Sequence, residues 1–224
     1  MDSVTSFIYG MSMMFFSMMA FLFWRKGKEM LFRMIMWLMI VVDLQLVKDM
    51  VFFLIYGFDN EHAWYLTSSL DMMIIPFYSF VLMELVKPGW FRWVKAFMLE
   101  LPFLLLPVFY IFTHNIIWFY VLSVWGAIYG CSTFILLIFM IRRYHRQLKE
   151  RFSYQENINL NWLLAILNTF FLILFLWTLS CFVINVDYDN IYMVSSLILW
   201  MLIDYFVYRH ESVIDELSDV EIVP

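Results

Sequence analysis

The sequence Asp-Leu-Gln-Leu-Val-Lys-Asp, at residues 43–49, lies in the middle of an apolar segment that runs from Leu31 to Tyr56. As a helix, about 26 residues are long enough to cross a hydrocarbon layer of about 30 Å. An ionisable side chain at membrane depth costs a few kcal/mol, so a span with three of them is expected to shelter them from lipid. Gln45, Lys48 and Asp49 fall within about 100° of arc on a helix, whereas Asp43 points in another direction. We therefore expect one face of this helix to border a protein interior or a wet cavity.

The composition places the whole chain in the same class as this segment. Of its 224 residues 64% are hydrophobic and 21% aromatic, and the mean hydropathy is +0.81. Soluble domains are nearer 45–50% apolar. The predicted fold is an all-α polytopic membrane protein with seven transmembrane helices, at Val4–Trp24, Leu31–Tyr56, His62–Val86, Val94–Phe112, Ile116–Ile141, Leu160–Ile184 and Asn190–Tyr208.

The basic residues predict the orientation of these segments. Every Lys and Arg except Lys48 lies in or beside the first, third or fifth connection, or after the last segment. Cytoplasmic loops carry an excess of Lys and Arg, so the N-terminus is predicted outside and the C-terminus in the cytoplasm. Residues 1–208 would then form the transmembrane domain and residues 209–224 a cytoplasmic juxtamembrane linker.

Depth in the membrane predicts a polar pocket. Lys48 lies eight residues from the outer end of the second segment, and Asp71 lies nine residues from the outer end of the third. Both would sit about 12–13 Å below the outer surface, with Asp49 at a similar depth, so Lys48 is predicted to pair with Asp71 or Asp49. Three interpretations stay open: a structural pair that fixes helix packing, the floor of an outward-facing ligand pocket, or a proton relay. The candidate ligand-binding residues are Asp43, Gln45, Lys48, Asp49, Tyr65, Ser68 and Asp71, with Ser69 as further lining.

A second group of charged residues lies toward the predicted cytoplasmic side. Glu84, Glu100 and Asp204 are close to the basic loops, and charge pairing with Arg33, Lys95, Arg142 or Arg143 is expected there. Prolines within the third and fourth segments are predicted to kink them, because proline removes a backbone donor. The alternative role is signal coupling, for which the candidates are Pro76, Glu84, Arg142, Arg143 and Asp204.

Several classes of function find no support in the sequence. The chain lacks the common hydrolase, metalloprotease, redox and phosphate-loop motifs, so we predict that it is not an enzyme and takes no cofactor. Its four histidines lie in loops or at segment ends, which disfavours a buried metal site. Cys131 and Cys181 would lie at different depths as free thiols. No basic patch suited to a nucleic-acid duplex is present within these residues.

The fifth connection, Arg142–Asn161, carries the most specific pattern. Its first part can continue the fifth helix as a cationic stalk, and Ser153–Glu156 has the form of a capping box that opens the sixth helix. Phe152–Trp162 has the sequence Phe-Ser-Tyr-Gln-Glu-Asn-Ile-Asn-Leu-Asn-Trp. This stretch resembles the loop before the penultimate span in bacterial multi-span sensor modules, which precede an AraC-type helix-turn-helix domain or a histidine kinase. The spacing of Asp71 and Pro76, and Tyr208-Arg-His-Glu after the last span, are similar too.

The resemblance implies a receptor in the bacterial cytoplasmic (inner) membrane that carries an external or membrane-borne signal to transcription. It further implies a homodimer and nucleic-acid binding through an output domain that is absent from these residues. Three classes of ligand stay open: a small anion, a lipid or a peptide. One alternative is a small transporter or proton-coupled carrier that uses Asp43, Lys48 and Asp71. Another is an assembly partner of a second membrane protein.

Overall fold

The computed structural model describes residues 3–26, 30–57, 60–87, 89–151, 161–183 and 185–220. Within these ranges, residues 144–151, 161–162 and 208–220 are described by their backbone alone. This part of the chain is helical and contains no strand. We number its helices α1 (Ser3–Lys26), α2 (Met30–Tyr56), α3 (Glu61–Val86), α4 (Trp93–Thr113), α5 (Ile117–Arg151), α6 (Asn161–Phe182) and α7 (Val186–Val220).

The apolar segments predicted from the sequence are confirmed as helices, mostly to within a few residues. Six helices are long and apolar enough to cross a membrane, namely α1 and α3–α7, which supports a multi-pass membrane protein. Helix α2 is 27 residues long and carries the charged residues of the second segment, but it is not among these six. The count of seven spans and the orientation of the termini therefore stay predictions.

Helix α3 lies at the centre of the bundle. It contacts α2, α4, α5 and α6, while α1 packs against α2 and α7, and α6 packs against α7. In α3, 72% of the residues in its apolar stretch are buried inside the protein, against 22% to 39% in the other five. The outward faces of α4 and α5 are rich in exposed Leu, Ile, Val and Phe. Such a surface is suited to contact with acyl chains.

The central helix changes its winding in the middle. Residues Met72–Ile74 form a turn of 3-10 helix between the α-helical parts Glu61–Asp71 and Ile75–Val86. Pro76 has no N–H to donate to the carbonyl of Met72, which accepts from the N–H of Ile75 instead. The predicted disturbance at Pro76 is therefore present as a tightened turn. Helix α4, in contrast, continues through Pro102 and Pro107.

Aromatic side chains fill the core between four helices. Trp200 of α7 is 1% exposed and packs against Phe16 of α1, Tyr78 of α3 and Phe170 of α6. The ring centroids lie 5.2–5.9 Å apart, within the range in which aromatic pairs attract one another. These contacts tie α7 to the central helix.

Two helices extend beyond the predicted spans. Helix α5 continues to Arg151, which confirms the predicted extension of the fifth helix. Helix α7 continues to Val220, although residues 209–224 were predicted as a linker. No Gly or Pro occurs between residues 209 and 220, so no helix-breaking residue ends the helix at the last apolar turn. The capping-box stretch and most of the sensor-like motif lie outside the described residues.

Candidate functional site

The ammonium group of Lys48 is the centre of a buried ionic cluster between α2 and α3. Its Nζ lies 2.7 Å from Asp71 Oδ1 and 2.8 Å from Asp49 Oδ1. It also donates a hydrogen bond to the carbonyl oxygen of Thr67 at 3.0 Å. The exposed fractions of the three charged side chains are 14–19%, so water reaches each of them only at one edge. The predicted ion pair is confirmed, and Lys48 binds both carboxylates at once.

Helix geometry explains why these groups meet. Thr67 and Asp71 are four residues apart on α3 and therefore lie on one face, one turn above the other. Asp71 is the last residue before the 3-10 turn, and its backbone carbonyl accepts a hydrogen bond of 3.5 Å from Gln45 Nε2. The change in winding thus follows directly after the residue that contributes both a carboxylate and a carbonyl to the cluster.

This cluster borders a cavity of about 90 Å³ enclosed by α1, α2, α3, α6 and α7. The cavity has room for several waters, and it is smaller than the roughly 300 Å³ of a site for a drug-sized ligand. Lys48 is not itself a lining residue, but all three of its partners are. The polar lining includes Tyr9, Gln45, Asp49, Thr67, Ser68, Asp71, Tyr78, Ser180, Asp189 and Tyr192.

Asp189, a residue of α7, contributes to the cavity wall. It lies in the first turn of α7, is 9% exposed, and its Oδ2 accepts a hydrogen bond of 3.1 Å from the hydroxyl of Tyr9 in α1. The next residue, Asn190, donates from Nδ2 to Thr5 Oγ1 at 3.0 Å. The sequence had placed Asp189 in a loop and had not included Tyr9. Both α1 and α7 therefore contribute walls that the sequence interpretation missed.

The cavity wall carries more carboxylates than cationic groups. Asp49, Asp71 and Asp189 line it, and among the described residues Lys48 is the one cationic side chain that contacts this wall. With all carboxylates ionised the cluster carries an excess of two negative charges. In that state the site repels a small anion and attracts a cation, whereas burial by itself disfavours the ionised carboxylates. Aromatic walls from Trp64, Trp177 and the tyrosines add surfaces that attract cations.

Asp43 and Tyr65, two residues predicted to line the pocket, lie elsewhere. Asp43 accepts a hydrogen bond of 2.5 Å from Ser17 Oγ of α1. It is two positions from Gln45, about 200° around the helix, so the same helix cannot present both to one cavity. The ring of Tyr65 packs at a tilt against Phe119 of α5, with the ring centroids 4.9 Å apart. Ser69 does not line the cavity either, and its Oγ donates to the Tyr65 carbonyl. Gln45, Asp49, Ser68 and Asp71 do line the cavity.

The second group of candidates does not form one site. The oxygens of Glu84 accept hydrogen bonds from the N–H groups of Gly89 (2.7 Å) and Phe91 (2.9 Å), so this carboxylate shapes the α3–α4 connection. Asp204 is 4% exposed, and neither of its oxygens has a hydrogen-bond partner among the described residues. Arg142 and Arg143 are exposed. The pairing with basic residues expected for Asp204 is therefore not formed in the described part of the chain.

Comparison of the chain with protein-family models, with curated proteins and with solved structures finds no match.

Proposed function

We propose that this chain is a membrane sensor module in which occupancy of the cavity biases the position of α7. The observation that carries the proposal is the continuity of α7. Its first turn supplies Asp189 to the cavity wall, and the same helix continues without a break to Val220. The roughly 31 residues between these points span about 46 Å, which exceeds the hydrocarbon thickness of about 30 Å. A displacement at the cavity is therefore transmitted along one helix to its far end.

The cavity favours a small cation or a small ligand with a cationic group. Its volume of about 90 Å³ excludes a peptide or a whole lipid, although a cationic end group of a larger molecule fits. Binding shifts an equilibrium only if the ligand prefers one state over the other. A cation prefers the arrangement of α7 in which the carboxylates of Asp49, Asp71 and Asp189 lie closer together, because its attraction to them is stronger there.

The remaining parts of the proposal rest on the sequence. The positive-inside pattern supports seven spans with the N-terminus outside, which places the cavity in the outer half of the membrane. The resemblance of Phe152–Trp162 to bacterial sensor modules supports the inner membrane as the location, an AraC-type or kinase output, and a homodimer. In this arrangement the far end of α7 is cytoplasmic and acts on the output that regulates transcription.

The experiment removes one cavity charge and measures the position of α7 at Leu202, thirteen residues beyond Asp189. Nitroxide labels at Trp37→Cys and Leu202→Cys, in a Cys131→Ser background, report the distance between α2 and α7 by double electron–electron resonance in lipid nanodiscs. Asp189→Asn imitates a neutralised cavity and is expected to shift this distance by about 1–2 Å, the size of helix shifts in signalling proteins. The matched control is Asp187→Asn, which neutralises an exposed carboxylate two residues away. Identical distance distributions in both variants would remove the proposed coupling.

One observation favours a transporter as the second candidate. The interrupted winding of α3 beside Asp71 resembles the discontinuous helices that bind ions in transporters. A transporter also needs a polar path to the opposite face. Below the main cavity lies a second one of about 30 Å³, lined mainly by apolar and aromatic residues such as Ile75, Leu82 and Phe170. Uptake of labelled methylammonium into proteoliposomes, sensitive to Asp71→Asn, would establish transport; absence of uptake together with movement of α7 would support the sensor.

A further inference from the structure

Two histidines meet at the end of the bundle that carries the α2–α3 connection. His62 is the second residue of α3, and His114 directly follows the last residue of α4. His114 Nδ1 lies 3.2 Å from His62 Nε2, and the ring centroids are 5.1 Å apart. Both side chains are exposed, so an ion in solution reaches them without passing through the bundle. We propose that this pair is a binding site for a divalent transition metal ion such as Zn²⁺.

The distance between the two ring nitrogens fits the proposal. Zinc binds imidazole nitrogen at about 2.0–2.1 Å in tetrahedral geometry, which places two nitrogen ligands about 3.3 Å apart. The distance of 3.2 Å between His62 Nε2 and His114 Nδ1 is close to this nitrogen–nitrogen separation. Without metal this contact requires a proton shared between the rings, with one nitrogen donating and the other accepting. The metal takes the place of this proton, with each ring turned so that its nitrogen lone pair points at the ion and not along the line between the nitrogens.

A buried tyrosine holds the first ring in place. The hydroxyl of Tyr110, a residue that is 2% exposed, lies 3.0 Å from His62 Nδ1. Histidines that bind metal commonly use their other nitrogen for a hydrogen bond that fixes the ring orientation and the tautomer. With the metal on Nε2, the proton of His62 lies on Nδ1 and points at the Tyr110 oxygen. The orientation of the first ligand is thus set from within the bundle.

The backbone of the second ligand is an independent observation. His114 has φ 51° and ψ 23°, and it is the one non-glycine residue with positive φ in the described part of the chain. This left-handed position after a helix is usually taken by glycine, which adopts it without a steric cost. An outlier of this kind supports a hypothesis of function. Here the left-handed turn carries an imidazole to the ring of His62, a contact that glycine could not make.

The site is open. Among the described residues no group of three or more His, Cys, Asp or Glu side chains converges on one point, so two of the four tetrahedral positions go to water or to an external ligand. Such an ion exchanges readily and links α3 to α4 only while it is bound. The proposal does not depend on the function assigned to the ionic cavity, since neither histidine lines it.

The test is titration of the tag-free full chain in lipid nanodiscs with ZnCl₂ at pH 7.5, followed by calorimetry. The histidine pair is expected to bind one Zn²⁺ per chain in the wild type, and this component of the saturable binding should be lost in His62→Gln and in His114→Gln. The matched control is the double variant His145→Gln/His210→Gln, which changes the other two histidines and should bind like the wild type. At pH 5.5 binding should weaken, because an imidazole must be unprotonated to bind metal.

A separate variant distinguishes loss of the site from loss of the fold. His114→Gly removes a ligand and relieves the left-handed strain, so it is expected to unfold at the same or a higher temperature without zinc and to lose zinc binding. A zinc-binding isotherm in His114→Gly or in His62→Gln that is unchanged from the wild type would overturn the proposal. Absence of saturable binding to the wild type would overturn it as well.

Discussion

Replacing Lys48 by Met tests how the ionic cluster is held together. The lysine ammonium contacts one oxygen each of Asp49 and Asp71 and the carbonyl of Thr67, at 2.7–3.0 Å. Removing one partner of a buried ion pair costs about 3–5 kcal/mol, because the remaining charge is left buried and uncompensated. The 14–19% exposure of the three side chains solvates them in part, so we expect about 3 kcal/mol, at the lower end of this range.

A second substitution, Asp71→Asn, is expected to change stability in opposite directions in the wild type and in Lys48→Met. Asp71→Asn alone removes one of two anionic partners, while Lys48 keeps Asp49, so a loss of about 1.5–3 kcal/mol is expected, as for a hydrogen bond to a charged group. Added to Lys48→Met, the same Asp71→Asn removes a repelling charge and should recover about 1–2 kcal/mol. The substitution therefore destabilises the wild type and stabilises the variant.

The assay is reversible unfolding in mixed detergent micelles, with a double-mutant cycle over the two positions. The free energies of unfolding of the four proteins give the coupling energy between the lysine and the aspartate. Two results would refute the reasoning: a Lys48→Met protein as stable as the wild type, or an Asp71→Asn effect of the same sign and size in both backgrounds. Either result would mean that water or another group, and not the lysine, compensates the carboxylates.

Three further substitutions test other parts of the structure by the same unfolding measurement. Glu84→Gln replaces a charged acceptor of the Gly89 N–H by a neutral one and should cost about 1–2 kcal/mol, with faster hydrogen exchange at that amide; unchanged exchange would contradict the bond. Trp200→Ala empties the aromatic core and should cost about 3–5 kcal/mol, whereas a cost below about 1 kcal/mol would place the ring outside the core. Tyr9→Phe removes the donor to Asp189 and should cost about 1.5–3 kcal/mol; no change would indicate that water replaces it.

The sequence predicted the helices well because their ends coincide with changes in hydropathy. The ion pair was predictable for a related reason, since a residue count from the membrane surface gives a depth, and Lys48 and Asp71 have the same depth. A residue count gives the depth of a side chain, but it does not give the neighbouring helix that the side chain faces. Tyr65 has a depth similar to that of Ser68, yet it faces Phe119 of α5, and only the packing of α3 against its neighbours decides this.

Helix α7 shows a second limit of hydropathy. Its predicted start, Asn190, is four residues late, because Asn185-Val-Asp-Tyr-Asp has the composition of a loop. The N-terminal signals of a helix were nevertheless present. The side-chain oxygen of Asn185 accepts from the N–H of Asp187 at 2.8 Å, and the first turn is acidic. The same limit applies at the other end, where the helix leaves the apolar region and continues to Val220. At both ends of α7, the change in hydropathy marks the edge of the apolar region and does not coincide with the end of the helix.

The contacts of the three cavity carboxylates indicate which part of the cavity moves. Asp49 and Asp71 are fixed on α2 and α3 by one lysine, which also binds the α3 backbone. The side chain of Asp189 has one hydrogen bond among the described residues, from the neutral hydroxyl of Tyr9. In the described part of the chain Asp189 is thus held by a single contact, whereas Lys48 holds the other two carboxylates by ion pairs and by its own bond to the Thr67 carbonyl. A cation that draws the three carboxylates together therefore displaces Asp189 before it displaces the other two. Because α1 packs more extensively on α2 than on α7, and Ser17 of α1 donates to Asp43 of α2, the expected movement is that of α7, together with the α6 against which it packs, relative to an α1–α2–α3 unit.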